Sequence, residues 1–364
     1  MTSSIARLHD FGQSPWYDNL TRPLITEGGL QALIDDDGIR GVTSNPTIFE
    51  KAMGGGDAYD EELKACAAEG LTIEESYWRL VVHDVGHAAD LLAPTYQATG
   101  GADGFVSLEV SPDLAHRTAE TVKQAAVLSG QVDHRNVLIK IPATEEGVPA
   151  IEANLAAGIN TNITLIFSLD RYAQVIEAFL SGLERFAAGG GDLTSVASVA
   201  SFFVSRVDTE TDRRLPEGHP LRGKAAVANA KLAYEMFQQR FASDRWKALA
   251  AKGARVQRPL WASTSTKNPD YSPTLYVDDL IGKDTVNTLA QASIDALHGG
   301  DTNLRADTIE ADLAGARGVI ADLGGAGVDF ADVTATLERE GVSSFSTSIH
   351  DAFKTLEKRR AEVT

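Results

Sequence analysis

A single lysine, Lys140, stands inside the apolar run Val137, Leu138, Ile139 and Ile141. A continuous run of this kind suits a strand buried on both faces. An ammonium group there is cut off from water, and burial disfavours the charged form, which leaves a free amine able to attack a carbonyl. The chemistry such a residue would do is imine formation. Thr144, Glu145 and Glu146 read as the capped start of a helix that ends near Gly158. Lys140 therefore sits at the C-terminal end of a strand that feeds a helix, which is where parallel barrels carry their reactive groups. The competing reading is an edge-strand lysine whose long stem carries its head to solvent.

An imine-forming lysine needs neighbouring groups that move protons. Eight segments read as strands, near residues 15–19, 39–44, 104–110, 137–141, 163–167, 196–203, 256–263 and 284–289. Their C-terminal ends offer Asp18 in SPWYDNL, Asn45 in GVTSNPTIFE, Glu109 in VSLEVSP and Lys140 itself. The later strands offer Asn162 and Thr164 around NITLIFS, Ser201 and Arg206 in ASFFVSRVD, and Ser263 in PLWASTSTKNP. Closing the strands into a barrel would gather all of these at one mouth, although Asp18 and Ser263 are far apart in sequence. Each has a local alternative. Asp18 could cap a turn, Asn45 before Pro46 could shape a loop, and Ser263 to Thr266 could bond their own backbone.

Helical patterns alternate with these strands, the signature of stacked βα units in an α/β fold. A barrel over about residues 15–300 and a helical cap over about 307–364 together make one domain. Ser111-Pro112 is expected to start a helix closed by Gly130, and a second helix should run from Ser168-Leu169-Asp170 to about Ala188. Ala225 to Ala251 reads as one long helix. The Pro- and Gly-rich segments 213–224 and 266–279 look like insertions on the reactive side of the barrel. Asp35, Asp36 and Asp37 before Gly38 are expected in a solvated turn.

Composition narrows the function classes. The 364 residues carry a formal charge of -18, which argues against nucleic acid or an anionic membrane as partner. Cys66 is the lone cysteine, so an internal disulfide is impossible and a cysteine-based metal site has no support. The N-terminus lacks the apolar core of a signal peptide, and no apolar run is long enough for a membrane span, so a soluble cytoplasmic protein is expected. His83 and His87 have the spacing of a zinc-binding helix, but the glutamate is missing and both fall opposite the apolar face. The glycine triplets at 54–56 and 189–191 lack the context of a nucleotide-binding loop, and no G-x-S-x-G elbow supports serine hydrolysis.

The motifs GVTSNPTIF, VSLEVSP, VLIKIPAT, GINTNITLIFS, SFFVSRVD and WASTSTKNP, in this order over about residues 15 to 270, resemble those of the transaldolases, and most closely the longer bacterial type. The resemblance implies a (β/α)8 TIM barrel, to which the helical pattern of the cap adds C-terminal helices, and it implies no cofactor and sugar phosphate substrates. It implies transfer of a dihydroxyacetone unit between ketose and aldose phosphates in the non-oxidative pentose phosphate pathway. Lys140 then matches the Schiff-base lysine, Glu109 the acid-base carboxylate working through a water held with Thr164, and Asp18 the base at the sugar hydroxyl. Asn45, Asn162 and Ser201 match substrate-hydroxyl positions, Arg206 a phosphate-binding arginine, and Ser263 the seventh-strand serine. Where many relatives follow that serine with a second arginine, this chain reads Ser263-Thr264-Ser265-Thr266-Lys267. Lys267 would supply charge there without the two-pronged contact of a guanidinium. The stretch beyond about residue 307 has no match in these motifs. Two rivals stay open: another class I aldolase using the same lysine, and a catalytically silent barrel that binds sugar phosphates. Monomer and homodimer also remain open.

Overall fold

The structure is a computed structural model that describes residues 3–300 and 302–364, and eight strands close into a barrel in chain order. They are β1 (Gln13–Tyr17), β2 (Gly41–Val42), β3 (Phe105–Glu109), β4 (Val137–Pro142), β5 (Thr161–Ile166), β6 (Ser198–Phe203), β7 (Arg258–Ala262) and β8 (Thr285–Leu289). Every neighbouring pair is parallel, and β8 pairs back onto β1, so the sheet has no free edge. Helices cover the outside while side chains fill the inside, and only Arg258 among the strand residues escapes full burial. That double burial is why the strands appear in the sequence as continuous apolar runs. All eight expected strands are present, with β2 reduced to two residues.

At the N-terminal end of the barrel, Asp103 gathers the Trp16 indole (Nε1 to Oδ1, 2.8 Å), Arg258 (Nη2 to Oδ1, 3.2 Å) and the Ser14 hydroxyl. Trp16 fits only because residue 41 is glycine: a Cβ there would lie 2.4 Å from the indole. This end is a packed structural plug, and the opposite end is left for chemistry.

Several helices differ from expectation for local reasons. Pro112–Leu114 forms a short 3-10 turn, and the helix proper runs Thr118–Val132, passing through Gly130 and ending at Asp133 in the left-handed conformation (φ 50°). The long helix expected from Ala225 breaks into Ala225–Arg240 and Asp244–Ala250, because Ser243 accepts a hydrogen bond from Trp246 N and caps a new start. Leu169–Ala188 is as expected, with Ser168 as its N-cap. The Asp35–Asp37 run is the last turn of helix Gly29–Asp37, and Asp37 is buried, accepting from Ser3 Oγ and bonding His298 Nε2, each at 2.7 Å. His83 and His87 do lie on the exposed side of helix Ile73–Ala98. Among the described residues, no cluster of His, Cys, Asp or Glu is placed to hold a metal, and no helix is long and apolar enough to cross a membrane.

After β8 come helix Gln291–Gly299, a 3-10 turn and the helices Leu313–Gly325 and Phe330–Val363. The last of these, 34 residues long, lies across the C-terminal ends of the strands. It is pinned by Thr47 to Ser348 (2.7 Å), by Ser346 to Asp113 (2.5 Å) and by the Arg359–Asp60 ion pair (2.6 Å).

Candidate active site

The register of the sheet creates the central pair. Glu109 and Lys140 are direct partners on β3 and β4, and because both side chains are the same distance along neighbouring strands they point the same way. Lys140 Nζ lies 3.0 Å from Glu109 Oε2 and donates to the Ser44 carbonyl at 3.1 Å. Both side chains are only 5% exposed, which rules out a lysine reaching for solvent. Burial pushes the Glu109 carboxyl above its ordinary value, and Lys140 pulls it back down. A carboxyl so placed can hold a proton or pass it on.

Above the pair opens a cavity of about 360 Å³, lined by Asp18, Asn45, Lys140, Thr164, Ser201, Arg206, Ser263 and Lys267. These residues come from six different strands or the loops that follow them. Asp18 follows β1, and its Oδ1 accepts from the Thr43 hydroxyl at 2.7 Å. Burial raises its carboxyl, opposed by the charges of Lys140, Arg206 and Lys267 and by the Thr43 hydrogen bond. Thr164 is fully buried and its hydroxyl has no protein partner. It stands beside a bulge in β5, where Leu165 takes φ 58° and the register with β6 slips between Ile163 and Ile166. The bulge re-aims the strand end at the cavity.

Not every expected residue faces the cavity. Asn162 is absent from its lining: its Nδ2 donates to Ser107 Oγ (2.9 Å) and its Oδ1 accepts from Ser201 Oγ (2.7 Å). It holds Ser201, which does line the cavity. Asn45 combines both readings made of it, since its Oδ1 caps helix Pro46–Gly54 by accepting from Ile48 N at 3.1 Å while the residue lines the cavity. Ser263 sits at φ 56° with its hydroxyl 2.9 Å from that of Ser205.

At the rim, Arg206 lies over the Phe203 ring at 5.3 Å and the Phe345 ring at 6.0 Å. Burial lowers its hold on its proton, and the charges of Asp18, Glu340 and Glu109 oppose that. Lys267, whose amine donates to Ser265 Oγ at 2.9 Å, and Lys51 line the same cavity. Three cations thus meet at one rim of a strongly acidic protein. Thr43 and Lys51 were within reach of sequence reasoning, Thr43 within the Asn45 motif and Lys51 directly after it. Phe345 was not, because it belongs to the terminal helix and has no local pattern of its own. A larger groove of about 870 Å³ lies outside the barrel, between helices Ile73–Ala98 and Thr118–Val132, far from the lysine–carboxylate pair.

A closed (β/α)8 barrel with a buried lysine–carboxylate pair under a polar, cation-rimmed mouth defines the class: a barrel protein built around one lysine. The sequence model of the transaldolase/fructose-6-phosphate aldolase family matches residues 15–356. The chain is 48% identical over 366 residues to a transaldolase of Parafrankia sp. (strain EAN1pec), covering 99% of this chain and 98% of that one. It is 50% identical over 352 residues to the transaldolase of Acidothermus cellulolyticus, covering 96% and 94%, and to that of Thermobifida fusca, covering 95% of each. The chain belongs to the transaldolase/fructose-6-phosphate aldolase family. The match runs past residue 307, so the terminal helices are part of the family's architecture.

Proposed function

We propose that this chain is a transferase that moves a dihydroxyacetone unit between sugar phosphates through an imine on Lys140. Sedoheptulose 7-phosphate and glyceraldehyde 3-phosphate exchange with erythrose 4-phosphate and fructose 6-phosphate, the transaldolase step of the non-oxidative pentose phosphate pathway. The observation that carries this reading is the 3.0 Å Lys140–Glu109 contact at the floor of the cavity. Glu109, its proton affinity raised by burial, takes a proton from Lys140, and the free amine attacks C2 of the ketose. A water held between Glu109 and the Thr164 hydroxyl relays that proton to the departing hydroxide of the carbinolamine.

The iminium then acts as electron sink. Asp18, oriented by Thr43, removes the C4 hydroxyl proton, the C3–C4 bond breaks, and the aldose phosphate leaves. The three-carbon enamine stays on Lys140 and adds to the second aldose phosphate, with the same groups acting in reverse. Arg206 binds the phosphate, with Lys267 adding charge at the rim. Ser201 and Asn45 hold sugar hydroxyls, and Asn162 keeps Ser201 in place.

The test is trapping. Protein incubated with fructose 6-phosphate and sodium borohydride should carry a reduced three-carbon adduct on the peptide containing Lys140. Folded protein that yields no adduct, or an adduct on another lysine, defeats the proposal.

A further inference from the structure

Phe345 reaches the cavity from the terminal helix and has no part in the scheme above. It is 4% exposed, with its ring centre 5.6 Å from Lys140 Nζ and 6.0 Å from the Arg206 guanidinium carbon. The ring therefore bridges the nucleophile and the phosphate-side cation. Its position is fixed from both sides along the helix. Four residues before it, Gly341 meets Leu165 so closely that a Cβ would come within 2.8 Å of the leucine. Three residues after it, Ser348 bonds Thr47 at 2.7 Å, and Ser346 and His350 both reach Asp113, at 2.5 and 2.9 Å. Leu165 is the residue held at φ 58° beside Thr164, so helix and bulge are fitted to each other.

A phenylalanine ring neither gives nor takes a proton. What it can do is keep water and its protons away. That matters because the enamine on Lys140 has two fates. In transfer, its C3 attacks the aldehyde carbon of the incoming aldose phosphate, and the aldehyde oxygen takes the proton held by Asp18. In release, C3 takes a proton from solvent instead, water adds to the iminium carbon, and free dihydroxyacetone leaves with Lys140 restored. Neither route needs an oxidant or reductant, and each ends with one water hydrolysing an iminium, which balances the water lost when the imine formed. The branch point is protonation of C3.

We propose that Phe345 is a specificity-determining residue that sets this branch, shielding the enamine from solvent protons so that transfer outruns release. The inference rests on Lys140 carrying the imine. It also gives the terminal helix a chemical reason to cross the barrel mouth.

Phe345→Ala and Phe345→Leu are compared with the unaltered protein on fructose 6-phosphate, with and without glyceraldehyde 3-phosphate. Free dihydroxyacetone and newly formed sedoheptulose 7-phosphate are both quantified, and the borohydride adduct on the Lys140 peptide is mapped in each protein. The ratio of release to transfer should rise about tenfold in Phe345→Ala, equivalent to about 1.4 kcal/mol between the two barriers. Phe345→Leu keeps apolar bulk but loses the ring, and should raise the ratio about threefold; it carries the test if the alanine variant does not fold. A ratio unchanged in a folded variant that still forms the adduct overturns the proposal, as does a proportional fall of both routes. An adduct missing from the unaltered protein overturns the Lys140 reading, and this inference with it.

Discussion

Replacing Lys140 by methionine should do more than remove the nucleophile. The two side chains of the Lys140–Glu109 pair are each 5% exposed and 3.0 Å apart, so the variant leaves a carboxylate buried without its counter-charge. Breaking a buried pair from one side typically costs about 3–5 kcal/mol. Glu109 can escape that cost by holding a proton. Burial already raises it above 4.5, and Lys140 is the largest influence pulling it down, so its loss moves the carboxyl further up. The sign follows from linkage. A raised carboxyl binds more protons folded than unfolded, so its contribution favours folding at low pH and is lost as pH rises from the ordinary carboxylate range through the folded value. Relative to the unaltered protein, Lys140→Met should therefore lose little stability at pH 5 and about 3–5 kcal/mol at pH 8. Urea denaturation at the two pH values measures this. Lys140→Met/Glu109→Gln removes the stranded charge and should recover most of the loss at pH 8, with no borohydride adduct in either variant. Equal losses at both pH values, or a double variant no more stable than the single one, would show that the pair is not electrostatically coupled as drawn.

Other groups make separable predictions. Asp18→Asn should still form the imine but slow C3–C4 cleavage by about 10²–10⁴-fold, read as trapped ketose adduct against aldose release; equal loss of both steps speaks against Asp18 as the cleavage base. Lys267→Met should raise KM for fructose 6-phosphate several-fold and leave reaction with unphosphorylated fructose unchanged, whereas equal effects on both donors would remove Lys267 from phosphate binding. Asp208, on the buried face of helix Ser205–Arg214, is pushed up to about 6 chiefly by burial, against hydrogen bonds from Ala226 N (2.8 Å) and the Tyr276 hydroxyl (2.7 Å). Its contribution thus favours folding below pH 3.8 and is lost as pH rises to about 6, a change of about 3 kcal/mol. Asp208→Asn should gain stability against the unaltered protein between pH 4.5 and 7.5, and a difference that stays constant across that interval refutes the buried-carboxylate account.

Legibility followed the range of the forces involved. The eight strands could be read because burial on both faces forces continuous apolar runs, and their polar C-terminal ends could be read because each interrupts such a run. Boundaries set by single hydrogen bonds were harder. Ser243 splits an apparently continuous helix by capping a new one, and Asp133 rather than Gly130 ends another by adopting a left-handed conformation. Asp37 looked like part of a solvated run, yet it is buried by Ser3 and His298, which come from opposite ends of the barrel region. Asn162 was expected at the cavity as a polar group of the fifth strand. It and Thr164 stand two residues apart on β5, opposite Lys140 and Pro142 of β4, so Asn162 lies one level deeper in the barrel, bonded to Ser107 and Ser201, while Thr164 reaches the cavity.

The sequence by itself determined the barrel, the buried lysine and the set of polar groups at the strand ends, because periodicity and burial act over a few neighbouring residues. Only the tertiary structure decided which of those groups meet. The 3.0 Å Lys140–Glu109 pairing needs the register of two strands, Arg206 needs rings from β6 and the terminal helix, and Phe345 reaches Lys140 from more than half the chain away. Contacts of that range depend on how the whole chain closes, and no local pattern encodes them.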